Sequence, residues 1–107
     1  MKLWIDDVRP APEGYVWCHS VNEAKRKIYS SKATCVYMDG RSNGYKIDLI
    51  DIDHDAGDFA GAGGDYIRLL DWLEETGRSY PIHIHSMNPV GVANMRAIIQ
   101  KNGWLEV

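Results

Sequence analysis

The sequence predicts an α/β fold: a mostly parallel sheet flanked by helices. Two observations predict it. Short apolar runs alternate along the chain with segments of helical periodicity, the pattern of βαβ units. Apolar runs also end in polar clusters, namely Asp6-Asp7, Asp53-His54-Asp55 and His85-Ser86. In parallel α/β sheets, sites form beyond the carboxyl ends of the strands.

Each element has its local reason. KLWID (2–6) is a buried strand that stops at Asp6-Asp7. VRPAPEG comes next, and its prolines and glycine forbid a helix there. Seven extended residues reach ~23 Å at ~3.3 Å each, enough to run back along a short strand. A parallel second strand, YVWCH (15–19), is therefore possible without a crossover helix. SVNEAKRKIYSS opens with Ser20 and has Glu23 three positions on, a capping box. Val21, Ala24 and Ile28 then share one helical face. TCVYMDGRSNGYKIDLIDI (34–52) is strand-like on both sides of Asn43-Gly44, a hairpin signal that predicts an added β-hairpin around 34–46. FAGAGG reads as a flexible loop, with Asp65 capping the helix of Tyr66, Leu69, Leu70 and Leu73, and Gly77 stopping it. PIHIHS (81–86) is a strand. Asn88 and Pro89 occupy the N-cap and N1 positions of a last helix with the stripe Val92, Met95, Ile98 and Ile99, ended by Gly103. WLEV is a short terminal strand.

Composition narrows the function. At 107 residues the chain is expected to be a single domain spanning 1–107. A net charge of −3 argues against general DNA binding, which needs a basic face. It leaves room for a small phosphorylated ligand. Cys18 and Cys35 have no zinc-binding spacing and read as reduced thiols. No run approaches the ~20 apolar residues of a membrane span, and MKLWIDD is too short for a signal peptide. The expected location is the cytoplasm.

The strand-end acids carry the chemistry. Asp6 and Asp7 either hold a divalent cation or close a loop and pair with Arg9. Mg²⁺ and Mn²⁺ take hard carboxylate oxygens plus phosphate and water. Asp53 is a ligand candidate, and Asp55, two positions on, points the same way along an extended chain. Asp51 and Asp58 read as solvated acids, and the direction of His54 is open. His83 reads as a satisfied core group. His85, at its strand end, titrates near neutrality and can move a proton or bind phosphate or metal. Ser86 and Asn88 either hydrogen-bond phosphate oxygens or cap the last helix. Arg9 either clamps a phosphate or pairs with an acid. Trp4, Trp17 and Trp72 read as core residues, not as a base-stacking platform. The glycine-rich stretch is neither a P-loop nor a dinucleotide fingerprint.

WIDD, DHDAG and IHS together resemble response-regulator receiver domains of the flavodoxin-like class. WIDDVRPAPEG, DHDAGD and HSMNPVG followed by NMR are more closely similar to the cyclic-phosphate processing receiver domain family, across nearly the whole chain apart from 34–46. That family is a divergent one of bacteria and their mobile elements, which implies a prokaryotic conflict-system setting. The resemblance implies a cyclic nucleotide or a 2′,3′-cyclic phosphate RNA end as substrate. It implies metal-dependent phosphodiester hydrolysis, with Mg²⁺ or Mn²⁺ on Asp6, Asp7, Asp53 and Asp55. Asp53 matches the acceptor aspartate and would serve as ligand or nucleophile. His85 would be catalytic, and Arg9, Ser86 and Asn88 would hold substrate. The chain departs from a signalling receiver in lacking its first helix and the lysine ending its fifth strand. GWLEV has none, and Lys101 lies inside the preceding helix. This argues against phosphorelay. The alternative is a non-catalytic module that sequesters a phosphorylated signal or meets a protein partner, the hairpin being one surface for it.

Overall fold

The computed structural model describes residues 1–30 and 47–107 in full, and the helical backbone of 31–35. Its elements run β1 (Lys2–Ile5), β2 (Tyr15–Cys18), α1 (Val21–Cys35), β3 (Leu49–Ile52), a 3₁₀ turn (Gly57–Phe59), α2 (Ile67–Glu75), β4 (Ile82–Ile84) and α3 (Pro89–Asn102). Among the described residues the sheet has four strands in the order β2-β1-β3-β4, all parallel. This is the order of the first four strands of a flavodoxin-like sheet.

Register explains the core. Leu3 pairs with Ile50 and Ile50 with Ile82; Ile5 pairs with Ile52 and Ile52 with Ile84. Alternation puts these side chains on one face. Leu3, Ile5, Cys18, Ile50, Ile52 and Ile82 are fully buried there, in one cluster with Val21, Ala24 and Ile28 of α1, Leu69, Leu70 and Leu73 of α2, and Met95 and Ile99 of α3. Each such side chain contributes roughly 1.5–3 kcal/mol by leaving water. The opposite parity carries Trp4, Asp51 and His83, again in register.

The helix-free crossover after β1 does allow a parallel β2. Indole groups satisfy its carbonyls. Trp4 Nε1–H donates to Arg9 O at 2.9 Å, and Trp17 Nε1–H to Asp6 O at 2.8 Å. Ser20 caps α1 by accepting from Glu23 N–H at 3.0 Å, while the Glu23 carboxylate reaches His19 N–H at 3.4 Å, one residue before the capping-box position.

Several expectations are corrected. α1 continues through Cys35, so residues 34 and 35 are helical rather than the start of a strand. No glycine or proline interrupts the chain there before Gly40, and extending a formed helix costs little. The rest of the predicted hairpin, residues 36–46, lies outside the described residues. The glycine loop is fastened rather than free. Asn22 N–H donates to Ala62 O at 3.1 Å, and a β-carbon on Gly63 would meet the Val21 and Asn22 side chains at 2.8 Å. Asp65 does not cap α2, whose N-cap residue is Tyr66. Its carboxylate instead accepts from the N–H of buried Ala56 at 3.1 Å, a group that needs a partner.

Asn88, Pro89 and Gly103 bound α3 as expected, with Asn88 Oδ1 accepting from Gly91 N–H and Gly103 at φ 66°. WLEV reduces to one parallel bridge, Ile82 with Glu106. The bidentate Arg96–Glu106 pair, 2.7 Å at its closest, ties that tail to α3. Among the described residues, no helix is long and apolar enough to cross a membrane.

Candidate active site

The strand order reverses between β1 and β3, and the carboxyl ends on either side of such a reversal form the natural crevice of this sheet class. Ladder bonds extend past the strands and fix the residues just beyond them. Asp53 N–H donates to Ile5 O at 2.9 Å, and His85 N–H to Ile52 O at 3.0 Å. Asp6, Asp53 and His85 are thereby delivered to one rim, where one ligand atom from each lies within 4.8 Å of the other two.

Asp6 is wholly buried. Its Oδ1 accepts from Val8 N–H and Arg9 N–H at 3.0 and 2.9 Å, and its Oδ2 from His85 Nε2–H at 2.8 Å. Burial pushes its pKa up, but the Arg9 and Val8 amides and His85 outweigh it and hold the carboxyl below its ordinary value. Across the ring, His85 Nδ1–H donates to Asp51 at 2.6 Å. Both ring nitrogens face carboxylates, so the imidazolium satisfies both at once. Burial pulls the His85 pKa down, yet the hydrogen bonds and charges of Asp51 and Asp6 raise it overall. Trp4 stacks on the ring with centroids 3.9 Å apart and planes 3° from parallel.

Asp7 is partly buried, and that burial raises its pKa, with the charges of Asp6 and Asp53 adding to the rise. Gly57, at φ 54°, lets the 3₁₀ turn close against Asp7, since a β-carbon there would overlap the Asp7 carboxylate. Tyr66, behind the rim, is raised by burial and then by the charges of Asp7, Asp6 and Asp53. Its hydroxyl donates to His19 O at 2.6 Å. Asp6 and Asp51 thus hold the His85 imidazole from its two nitrogens, Asp53 joins Asp6 and His85 within 4.8 Å, and Asp7 adds a further carboxyl that feels the charges of Asp6 and Asp53. One imidazolium cannot neutralise these carboxylates, and hard oxygen donors at this density suit a divalent cation such as Mg²⁺ or Mn²⁺. The residues present fit such an ion.

The other predicted residues take different places. Asp55 turns to His54 Nδ1 at 2.8 Å and stands outside the three-ligand group. Arg9 is exposed and donates from Nη1 to His85 O at 3.2 Å, so it pairs with a carbonyl instead of an acid. Ser86 Oγ accepts from Asn88 N–H at 3.1 Å, which leaves its own proton free to donate. Asn88 is the α3 cap. His54 lies against α3, where a β-carbon on Gly91 would overlap its ring. His83 is partly buried, its Nδ1 2.9 Å from Val107 O, so it is partnered but lies outside the buried core cluster. Trp4, Trp17 and Trp72 are each partly exposed, and of the three Trp72 packs against the core cluster.

Two residues of the site escape the sequence reading. Asp51 is buried at 6% exposure and holds His85, where a solvated acid is expected. Trp4 covers the imidazole. Asp51 carries no local signal for this role, since it lies inside β3 and only the pairing of β3 with β4 brings it near His85. Cys18 is a buried free thiol whose pKa burial pushes up to about 12, so it is inert.

A family model described as the cyclic-phosphate processing receiver domain matches residues 1–101. Comparisons with curated proteins and with solved structures return no match.

Proposed function

The chain belongs to the cyclic-phosphate processing receiver domain family, and from that premise we propose that it opens a cyclic phosphate by metal-assisted phosphoester hydrolysis at the rim of β1, β3 and β4. The observation that carries this reading is the convergence of Asp6, Asp53 and His85 within 4.8 Å. The substrate is a cyclic nucleotide or a 2′,3′-cyclic phosphate at an RNA end.

Asp6, Asp7 and Asp53 would hold Mg²⁺ or Mn²⁺. When bound, the ion supplies Lewis acidity to a phosphoryl oxygen and lowers the pKa of a water. His85 Nε2–H rests on Asp6 Oδ2 while Asp51 holds the far nitrogen; with Asp6 turned to an ion, that N–H would be free to protonate the departing ring oxygen. Water oxygen bonds to phosphorus, the ring P–O bond breaks, and the water proton leaves to a rim carboxylate. The product is a phosphomonoester. Arg9 and Ser86 have N–H and O–H donors left for the non-bridging oxygens, and Trp4 keeps one face of the imidazole from water. Asp55, committed to His54, is outside this set.

A second reading has its own support. Asp6 already accepts three hydrogen bonds within the fold, which also suits a network serving structure in a module that binds a phosphorylated signal without turnover. One experiment separates the two. Cyclic mononucleotides, cyclic dinucleotides and cyclic-phosphate RNA ends are incubated with the protein and Mn²⁺ or Mg²⁺, and products are separated by chromatography. Ring opening that disappears in Asp53→Ala and His85→Ala, both still folded, supports hydrolysis. Saturable binding without turnover supports the module.

A further inference from the structure

On the flank of the molecule, α1 and α2 border an open groove of about 350 Å³, lined by Lys25, Arg26, Tyr29 and Ser30 of α1 and Trp72 of α2. Small-ligand pockets occupy ~300–1,000 Å³ and combine apolar walls with a few charged groups. Here the apolar walls are the two aromatic rings. The charged groups are cations. Lys25 Nζ stands 5.7 Å from the Trp72 ring centre, and the Arg78 guanidinium stands 4.7 Å from Trp72 and 5.9 Å from Tyr29. Among the described residues none of Lys25, Arg26 and Arg78 has an acidic partner, and Arg78 Nε is buried with no hydrogen-bond partner at all. Among the described residues, three cations without an acidic partner stand around two rings, against the net charge of −3 of the chain.

This groove is separate from the rim. α1 begins at the carboxyl end of β2 and leads away from it, so Tyr29 lies roughly 12–13 Å along the helix from its start at ~1.5 Å per residue. Tyr29 is 66% exposed.

We propose that the α1–α2 groove binds a small aromatic anion of the nucleoside monophosphate class. Its flat ring lies on Tyr29 beside Trp72, and its phosphate is held by Lys25 and Arg26, with Arg78 behind the rings. Aromatic stacking supplies the ring's contribution, and charge-assisted hydrogen bonds the phosphate's.

The test uses AMP as probe, with adenosine and inorganic phosphate as its halves, in metal-free buffer to keep the rim out of play. Binding is followed by backbone amide and indole N–H shifts. AMP should move the amides of residues 25–30 and the Trp72 indole saturably. Adenosine and phosphate should each bind at least about tenfold more weakly than AMP, and Lys25→Gln/Arg26→Gln should weaken AMP at least about tenfold. Should the double variant lose its dispersed spectrum, Arg26→Gln, changed at an exposed side chain, should weaken AMP at least about threefold. Shifts confined to the Asp7, Asp53 and His85 rim overturn the proposal. So does affinity unchanged in the folded variant, no saturation at millimolar AMP, or either half binding as well as the whole.

Discussion

Asp51 accepts a hydrogen bond from His85 Nδ1 at 2.6 Å, although the strand register sets Asp51 beside His83. The bond runs diagonally to the residue just past the end of β4. It makes Asp51 the group that fixes the ring while Asp6 holds the other nitrogen. Removing one partner from a buried charged pair leaves the other uncompensated, at a cost of about 3 kcal/mol. Asp51→Ala should lose about that much in urea unfolding. Asp51→Asn keeps an acceptor for Nδ1–H but removes the charge, so it should lose less and lower the His85 pKa in an NMR titration. Equal titration of His85 in wild type and Asp51→Asn would remove Asp51 from this role.

The pair also predicts a pH profile. His85 binds its proton more tightly folded than unfolded, because Asp51 and Asp6 outweigh burial. Its contribution is therefore complete below the unfolded pKa of ~6.5 and is lost as pH rises through the higher folded value. Asp6 is shifted the other way, its amide and His85 bonds outweighing burial. Its contribution is present above its unfolded value of 3.8 and is lost as pH falls through the lower folded value. Asp7, raised chiefly by burial, favours the acid side as His85 does. Thermal melts should show stability falling from about pH 6 to 7.5, below the range where thiols and phenols dominate. The fall should shrink in Asp51→Asn. Stability that stays level or climbs over this interval would contradict the assigned imidazolium.

Strand-end polarity made Asp6, Asp53 and His85 legible in the sequence, because apolar runs ending in acids mark the rim of a parallel sheet whatever its exact register. Asp51 was not legible, for the opposite reason. It lies inside β3, and only the β3–β4 register, which no local pattern sets, brings it within reach of His85. Asp65 illustrates tertiary override: its position suits a helix cap, but Ala56 N–H required the carboxylate more. The caps at Ser20 and Asn88 were readable because both partners are local. The helical state of residues 34 and 35 was not, since their β-branched and thiol side chains fit either structure.

Trp4 supplies both a lid for His85 and a donor for the crossover. Trp4→Phe keeps a ring over the imidazole and loses the bond to Arg9 O, which is worth about 1 kcal/mol. Trp4→Ala loses the stack as well, and a further ~1 kcal/mol or more with it. Ring-opening activity should survive Phe and drop sharply with Ala, as the imidazole loses its fixed orientation. Chemical denaturation alongside product assays checks this, and equal activity in the two variants would show that the stack does not position His85.

Gly91 predicts an interaction between distant parts of the chain. It is buried in the first turn of α3, and the His54 ring occupies the space a β-carbon would need. Gly91→Ala gains helix propensity, up to ~1 kcal/mol, but overpacking costs about 1–3 kcal/mol. The variant should be destabilised despite its better helix former. His54→Ala removes the obstacle, so Gly91→Ala should become neutral or stabilising in that background. A double-mutant cycle with no coupling would mean that the α3 start does not rest on His54.

Metal binding offers the most direct test of the rim. An ion that binds only the folded protein stabilises it by about 2.7 kcal/mol at a hundredfold excess over its Kd. For a domain of this size that raises the melting temperature by roughly 10 °C or more. Mn²⁺ should produce such a rise in the wild type and little in Asp53→Ala, which removes one of the converging ligands. Asp55→Ala should retain it, because the Asp55 carboxylate is turned to His54. The ion must also compete with protons held between Asp6 and His85, so its apparent affinity should increase with pH. An identical Mn²⁺ shift in wild type and Asp53→Ala would place the ion elsewhere. A loss of the shift in Asp55→Ala would mean that this acid leaves His54 to join the site.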